Sequence, residues 1–234
     1  MLYSIEQISD LMGARRIGNA PATIHWLLTD SRSLSFPEET LFFALPTRRN
    51  DGTRYMAELY ARGVRNFVLS EESFVTFFTF VDEGGHRQNS VWADANYLLV
   101  SSPLKALQKL AESHREQFHI PVVGITGSNG KTIVKEWLHQ LLSPDRRIVR
   151  SPRSYNSQIG VPLSVWQMQE SDQLALFEAG ISEPGEMRAL QGIIKPTIGI
   201  LTTIGGAHQE NFFSLQEKCM EKLTLFKDCD VVIY

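Results

Sequence analysis

At 234 residues, with 43% hydrophobic and 21% charged side chains, the chain has the composition of a globular protein long enough for two compact units. A net charge of −3 argues against a broad nucleic-acid or anionic-membrane surface, and no segment reaches the roughly 20 apolar residues that span a bilayer. Cys219 and Cys229 form neither a metal-ligand pattern nor a disulfide framework. The start, MLYSIEQISDLMG, lacks the basic and apolar regions of a signal peptide, so a cytoplasmic setting is expected.

Taken in order, residues 3–12 predict a short amphipathic helix with Ser4 as N-cap, Ile5, Ile8, Leu11 and Met12 inward, and Gly13 closing it. Strands are expected over 23–29, leading into Thr29-Asp30-Ser31-Arg32, and over 40–45. The polar turn 47–52, which holds Asn50 and Asp51, follows. Helical character over 53–62 and a strand from Asn66 make this a small α/β unit. The stretch SFVTFFTFV, residues 73–81, is rich in Phe and β-branched residues and predicts a buried strand or hairpin, with a loop over 82–90. A strand at 97–100 then precedes a helix from Pro103 to about Phe118, with Leu104, Leu107, Leu110 and Ala111 on one face. The domain boundary is expected near residue 100, giving units 1–100 and 101–234.

The second unit alternates. Strands are expected at 121–126, 147–150, 174–179, 198–203 and 230–234, and helices near 132–142, 159–168, 184–194 and 214–227. That order implies a parallel sheet with crossover helices, whose ligands bind at the carboxyl ends of the strands. The rule selects Gly127–Thr132, Glu178–Ser182 and Thr203–His208. The final segment, Asp230–Tyr234, reads as a buried strand without a capping helix, so the chain is expected to be a piece of a longer protein and inactive by itself.

The most informative stretch is PVVGITGSNGKT, residues 121–132. A short β-branched strand runs into the turn Gly127-Ser128-Asn129-Gly130-Lys131-Thr132, after which Ile133, Trp137, Leu138, Leu141 and Leu142 recur at helical spacing. Two glycines let the backbone turn sharply and aim several N–H groups at one anion, and the helix N-terminus adds unpaired donors and its dipole. Lys131 is placed to reach terminal phosphates and the Thr132 hydroxyl to ligate Mg²⁺. The spacing G-x-x-G-K-T is shorter than the common G-x-x-x-x-G-K-[ST], with Ile125 where the first Gly would fall. By itself this loop suits a kinase, an ATPase or a non-catalytic nucleotide-binding module.

Four further stretches narrow the reading. SYNSQIGVPLSV (154–165), FEAGISEPGEM (177–187), LTTIGGAHQENFFSL (201–215) and the loop ITGSNGKT together resemble the Mur ligases, ATP-dependent amide-forming enzymes of peptidoglycan precursor synthesis. TDSRSL and ALPTRRNDG are similar to the signatures of that family's UDP-sugar-binding domain, although Arg54 stands near where His is usual; in the 201–215 stretch Gln209 replaces Leu. The resemblance covers the whole chain. It implies a small α/β UDP-sugar-binding domain followed by part of a parallel-sheet α/β ATPase domain, acting as a cytoplasmic monomer with ATP and Mg²⁺. The IGVP and EPGEM stretches favour the member that joins D-Ala-D-Ala to UDP-MurNAc-tripeptide over the one that adds the third peptide residue. The same resemblance makes Thr132, Glu178 and His208 metal ligands, and turns Asn156 toward substrate or phosphates. It implies that Asp30, Ser31, Arg32, Asn50 and Asp51 hold the UDP-sugar. A lysine 14 residues after the metal-binding His carries a carbamate in the family, an anion that can help hold the metal; counting from His208 gives Lys222, with Phe226 at +4, whereas Lys218 fits the count less well. His114 and His119 match no motif.

Overall fold

The computed structural model describes residues 2–46, 51–81, 87–89, 91–205 and 211–234. The chain divides into two compact units, Met1–Leu110 and Ala111–Tyr234.

The first unit begins with β1 (Tyr3–Ser4) and α1 (Ile5–Met12). Ser4 accepts from the Gln7 N–H while the Gln7 side chain accepts from the Ser4 N–H, and Gly13 closes the helix at φ 66°. Ile5, Ile8 and Met12 are buried as expected; Leu11 is half-buried. After β2 (Arg15–Ile17) the expected strand over 23–29 is broken at His25 into β3 (Thr23–Ile24), which pairs with β1, and β4 (Trp26–Leu28), which pairs with β5 (Thr40–Phe43). Then come α2 (Met56–Ala61), β6 (Asn66–Ser70), α3 (Glu71–Phe78), β7 (Thr79–Val81), β8 (Arg87–Asn89) and β9 (Asn96–Val100). The main sheet has the order β2-β9-β6-β5-β4. Its three pairings from β9 to β4 run parallel, and β2, a strand that apolar patterning did not reveal, joins β9 antiparallel. β5 and β9 are buried throughout, the continuous apolar pattern of a sheet covered on both faces.

The stretch 73–81 is a correction. Most of it is the helix α3, and only its end forms the β7–β8 hairpin. Local chemistry outweighs the β-rich composition: Ser70 Oγ accepts from the Ser73 N–H at 3.0 Å, and Glu71 and Glu72 occupy the positive first turn. Phe74, Phe77 and Phe78 then fall on one face. Phe74 and Phe78 lie 5.3 and 5.0 Å from the Tyr97 ring, and Phe77 and Phe78 lie 5.7 and 5.3 Å from Trp92.

α4 (Pro103–Arg115) carries the chain onward, ending three residues before the expected Phe118. The Arg115 guanidinium donates to Phe118 O, Ile194 O and Lys195 O, which tethers the turn that follows. In the second unit the elements are β10 (Val122–Thr126), α5 (Lys131–Leu142), β11 (Ile148–Arg150), α6 (Gly160–Val165) and β12 (Leu174–Glu178), then α7 (Glu186–Ile194), β13 (Ile198–Leu201), α8 (Leu215–Leu223) and β14 (Val231–Ile233). The sheet is parallel throughout, in the order β11-β12-β10-β13-β14. The chain leaves β10 in one direction and returns past it in the other, so the strand order reverses at β10, where open α/β sheets bind ligands.

One sheet face packs Phe177, Ala175 and Val122 against Val161, Val165, Met187, Leu190, Ile194 and Phe226. On the other, Val134, Leu138 and Leu142 of α5 cover Val123, Ile125, Leu174 and Leu176. The helical spacing expected for α5 holds, but Ile133, Trp137 and Leu141 are exposed and Lys135 is buried. His114 is a core residue: Nε2 lies 3.1 Å from Met168 O, and burial pushes its pKa down to about 4. Both cysteines are free thiols. Among the described residues, no helix is long and apolar enough to cross a membrane.

Candidate active site

The loop between β10 and α5 is held by the segment that follows β13. Ser128 N–H donates to Thr203 O at 2.6 Å, and Ser128 Oγ exchanges hydrogen bonds with the Gly205 backbone at 2.9 and 3.1 Å. Thr202 Oγ1 donates to Asn129 O at 2.6 Å. Gly127 has φ 148°, and a Cβ there would lie 1.9 Å from Thr202 Oγ1, so this position admits only glycine. Gly130, at φ 85°, starts the helix without a side-chain cap, leaving its first N–H groups to whatever approaches the loop.

Lys131, Lys218 and Lys222 surround this loop. Lys131 Nζ and Lys222 Nζ both donate to Gly127 O, at 2.8 and 3.2 Å, and Lys218 Nζ donates to Gly205 O. Lys222 and Lys218 are 3% and 1% exposed, so the lysine that fits the motif count less well is as deeply set as the one that fits it. Burial, then the charges of Lys131 and Lys218, push the Lys222 pKa down to about 8. Burial also lowers that of Lys131; Glu178 opposes the shift and Lys218 adds to it.

Glu178 ends β12 fully buried. Its Oε2 accepts from Thr132 Oγ1 at 3.0 Å and, at 3.5 Å, from Asn156 Nδ2. Lys135 Nζ lies 2.9 Å from Oε1, yet Oε1 has no hydrogen-bond partner. A buried carboxylate oxygen paired in charge but with its lone pairs unengaged, beside a threonine hydroxyl, is a hard-oxygen donor set that suits Mg²⁺. No group of three or more His, Cys, Asp or Glu is placed for a metal among the described residues. Lys131, Asn156 and Lys222 line a cleft of about 140 Å³ together with Gly127, Gly180 and Glu186 among others.

Sequence reasoning missed two members of this group. Ser154 Oγ lies 3.3 Å from Thr132 Oγ1. Lys135, one turn beyond Thr132, is not marked by any motif; the shared face of positions 132 and 135 is the available signal. His208 and Asn50 lie outside the described residues.

In the first unit, Asp30 and Asp51 follow the carboxyl ends of the neighbouring parallel strands β4 and β5. Asp30 caps a turn by accepting from Arg32 N–H at 3.1 Å, and its carboxylate grips the Arg32 guanidinium at 2.6 and 2.9 Å. That hydrogen bonding holds the Asp30 carboxyl below its usual pKa. Ser31 is buried, with its carbonyl accepting from Arg62 at 2.9 Å, while Arg32 stays exposed. Asp51 caps a second turn through Thr53 N–H at 3.0 Å.

Residues 125–233 match the Mur ligase middle domain. Among curated relatives, the UDP-N-acetylmuramoyl-tripeptide–D-alanyl-D-alanine ligase of Treponema pallidum is 37% identical over 229 residues, covering 97% of this chain and 48% of that protein. The ligase of the same name from Borreliella burgdorferi is 32% identical over 215 residues, covering 91% of this chain and 45% of that one. The chain therefore spans about half the length of the curated relatives it matches. The crystal structure of MurF from Acinetobacter baumannii shares the fold at a TM-score of 0.81 and 24% identity, over 98% of this chain and 47% of that one. MurF ligase from Thermotoga maritima in complex with ADP superposes at a TM-score of 0.70 and 26% identity, over 88% of this chain and 44% of that one. With its second unit matched as a middle domain and its first unit inside the aligned length of these ligases, the chain belongs to the Mur ligase family.

Proposed function

We propose that the protein carrying this chain is a MurF-type ligase, joining the carboxylate of UDP-MurNAc-tripeptide to the amino group of D-Ala-D-Ala at the expense of ATP. The observation that carries this reading is the convergence of Lys131, Lys222 and Asn156 on one cleft at the carboxyl ends of β10 and β12, with Asn156 and Thr132 both hydrogen-bonded to Glu178. A carboxylate is a poor electrophile, so the γ-phosphoryl group first passes to its oxygen, giving an acyl phosphate and ADP. The amine then attacks the carbonyl carbon, and phosphate leaves from the tetrahedral intermediate.

Bringing an anionic carboxylate to an anionic triphosphate requires concentrated positive charge. Lys131 and the backbone N–H groups of Gly127–Thr132 supply it in a partly water-excluded cleft. Thr132 and Glu178, with His208, would hold Mg²⁺, which when bound neutralises phosphate charge. Asn156 orients the Glu178 carboxylate from the side opposite Lys135 and faces the reacting groups. In the first unit Asp30, Ser31, Arg32, Asn50 and Asp51 hold the UDP-sugar. The reading is of a cytoplasmic monomer.

Lys222 has a further role in this reading. Its amine is buried beside two other lysines, which disfavours the ammonium form. The neutral Nζ attacks the carbon of CO₂, an N–C bond forms, one proton leaves, and the resulting carbamate carries a negative charge. Alkylative trapping in bicarbonate followed by peptide mass spectrometry should show a carboxylated Lys222, heavier by about 44 Da before alkylation. An unmodified Lys222 in protein loaded with nucleotide and Mg²⁺ contradicts the carbamate.

The reaction class is tested by phosphate release from the complete protein. Release is expected only with both UDP-MurNAc-tripeptide and D-Ala-D-Ala present, one phosphate per amide formed. ATP hydrolysis indifferent to both would indicate an ATPase, and phosphorylation of another acceptor a kinase.

A further inference from the structure

Lys135 is a cation with no exposure to solvent, a rare placement for lysine unless it is paired. It lies on α5 three residues after Thr132, so the two share a helix face. Its Nζ donates to Ser151 O at 2.7 Å and to Arg153 O, and lies 2.9 Å from Glu178 Oε1 and 3.1 Å from Glu136 Oε1. Four pieces of chain meet at this one nitrogen: the first turns of α5, the end of β11, the loop beyond it, and the end of β12. Ser151 is itself buried, and its Oγ accepts from the Glu178 N–H at 3.2 Å. Arg153 has φ 50°, a left-handed conformation costly for a residue with a side chain, and Lys135 binds the carbonyl of that residue. The same loop carries Ser154, within 3.3 Å of Thr132 Oγ1, and Asn156, within 3.5 Å of Glu178 Oε2.

We propose that Lys135 is a positioning residue of this site, holding the Glu178 carboxylate and the 151–156 loop in register with Thr132 so that a divalent cation meets a preformed pair of oxygen ligands. A methionine would fill the same space without the desolvation cost of a buried charge, so packing alone gives no reason for lysine here. Lys135 sets a positive charge 2.9 Å from Glu178 Oε1 inside the protein, and its protons go to Ser151 O and Arg153 O. Oε1 is thereby left electrostatically balanced but without a hydrogen bond, and Oε2 is left on Thr132. The role is indirect: Lys135 acts on the cation through Glu178. The inference rests on the reading of Glu178 as the Mg²⁺ ligand.

The test is equilibrium binding of a non-hydrolysable ATP analogue to the complete protein, in EDTA and across a MgCl₂ titration. The variants are Lys135→Met, Lys135→Gln, Lys135→Arg, Glu178→Gln and the double variant Lys135→Met/Glu178→Gln. Lys135→Met, or Lys135→Gln if the former does not fold, should raise the Mg²⁺ concentration for half-maximal tightening at least tenfold and leave the affinity in EDTA within twofold. Lys135→Arg, which keeps the cation, should recover part of the loss. In the Glu178→Gln background, removing Lys135 should change Mg²⁺ dependence less than twofold, because the two residues act as a unit. Equal weakening in EDTA and in Mg²⁺, or an undiminished Lys135 effect in the Glu178→Gln background, would overturn the positioning role. If Mg²⁺ fails to tighten binding by the parent protein, the reading of Glu178 fails and this inference falls with it.

Discussion

Glu178→Gln should lower turnover of the complete protein by about 10²–10³-fold, the usual cost of removing one preorganised electrostatic element from a reacting phosphate site. The substitution keeps the shape of the side chain and its reach to Thr132 Oγ1, 3.0 Å away, but removes the only carboxylate that touches that hydroxyl among the described residues. It also strands Lys135, fully buried and 2.9 Å from Glu178 Oε1, without its charge partner there. Breaking such a pair from one side costs about 3–5 kcal/mol, so urea denaturation should show a large loss of stability. Glu136, 3.1 Å from the same nitrogen and partly exposed, reduces that loss without removing it. A variant with parent-like turnover and stability would show that Glu178 is neither a ligand nor a structural anchor.

Gly127→Ala should be nearly as damaging for a different reason. The added Cβ would sit 1.9 Å from Thr202 Oγ1 and 3.1 Å from Thr203 O, on a backbone at φ 148°. Thr202 Oγ1 cannot simply withdraw, because it donates to Asn129 O at 2.6 Å and to Thr126 O at 3.2 Å, and those bonds shape the loop. Strain and overpacking of this kind cost about 2–4 kcal/mol together. Nucleotide affinity should fall by about 100-fold or more as Gly127 O is carried away from Lys131 and Lys222. Truncating Thr202 in the same protein should restore only part of the stability, since the backbone conformation and the Thr203 carbonyl remain. Denaturation and nucleotide titration check both effects; parent-like affinity in Gly127→Ala would mean that the loop does not hold phosphate.

What could be read beforehand divides along physical lines. The second unit was legible because its strands are short apolar runs separated by helical periods, and a parallel sheet needs little else to declare itself. The phosphate loop was legible because glycines, Lys131 and Thr132 are adjacent in the chain. Lys135 was not, because nothing in a lone lysine on an amphipathic helix says that it points inward; only the fold places Ser151, Arg153 and Glu178 around it. The α5 helix makes the same point from the apolar side. Its period shows which residues share a face, yet Val134, Leu138 and Leu142 meet the sheet while Ile133, Trp137 and Leu141 face outward. In α3 the β-rich composition points one way and the cap the other: Ser70 and the two glutamates after it signal a helix start, the phenylalanines follow helical spacing, and the cap prevails.

Isotopic labelling follows the transfer of phosphate to the substrate carboxylate atom by atom. With ¹⁸O in the acceptor carboxylate of UDP-MurNAc-tripeptide, the complete protein, ATP, Mg²⁺ and D-Ala-D-Ala should release inorganic phosphate carrying one ¹⁸O per amide formed. That oxygen attacks the γ-phosphorus, bridges the acyl phosphate, and departs with phosphate when the amine displaces it. Unlabelled phosphate released alongside amide, or phosphate released without amide, would contradict the account.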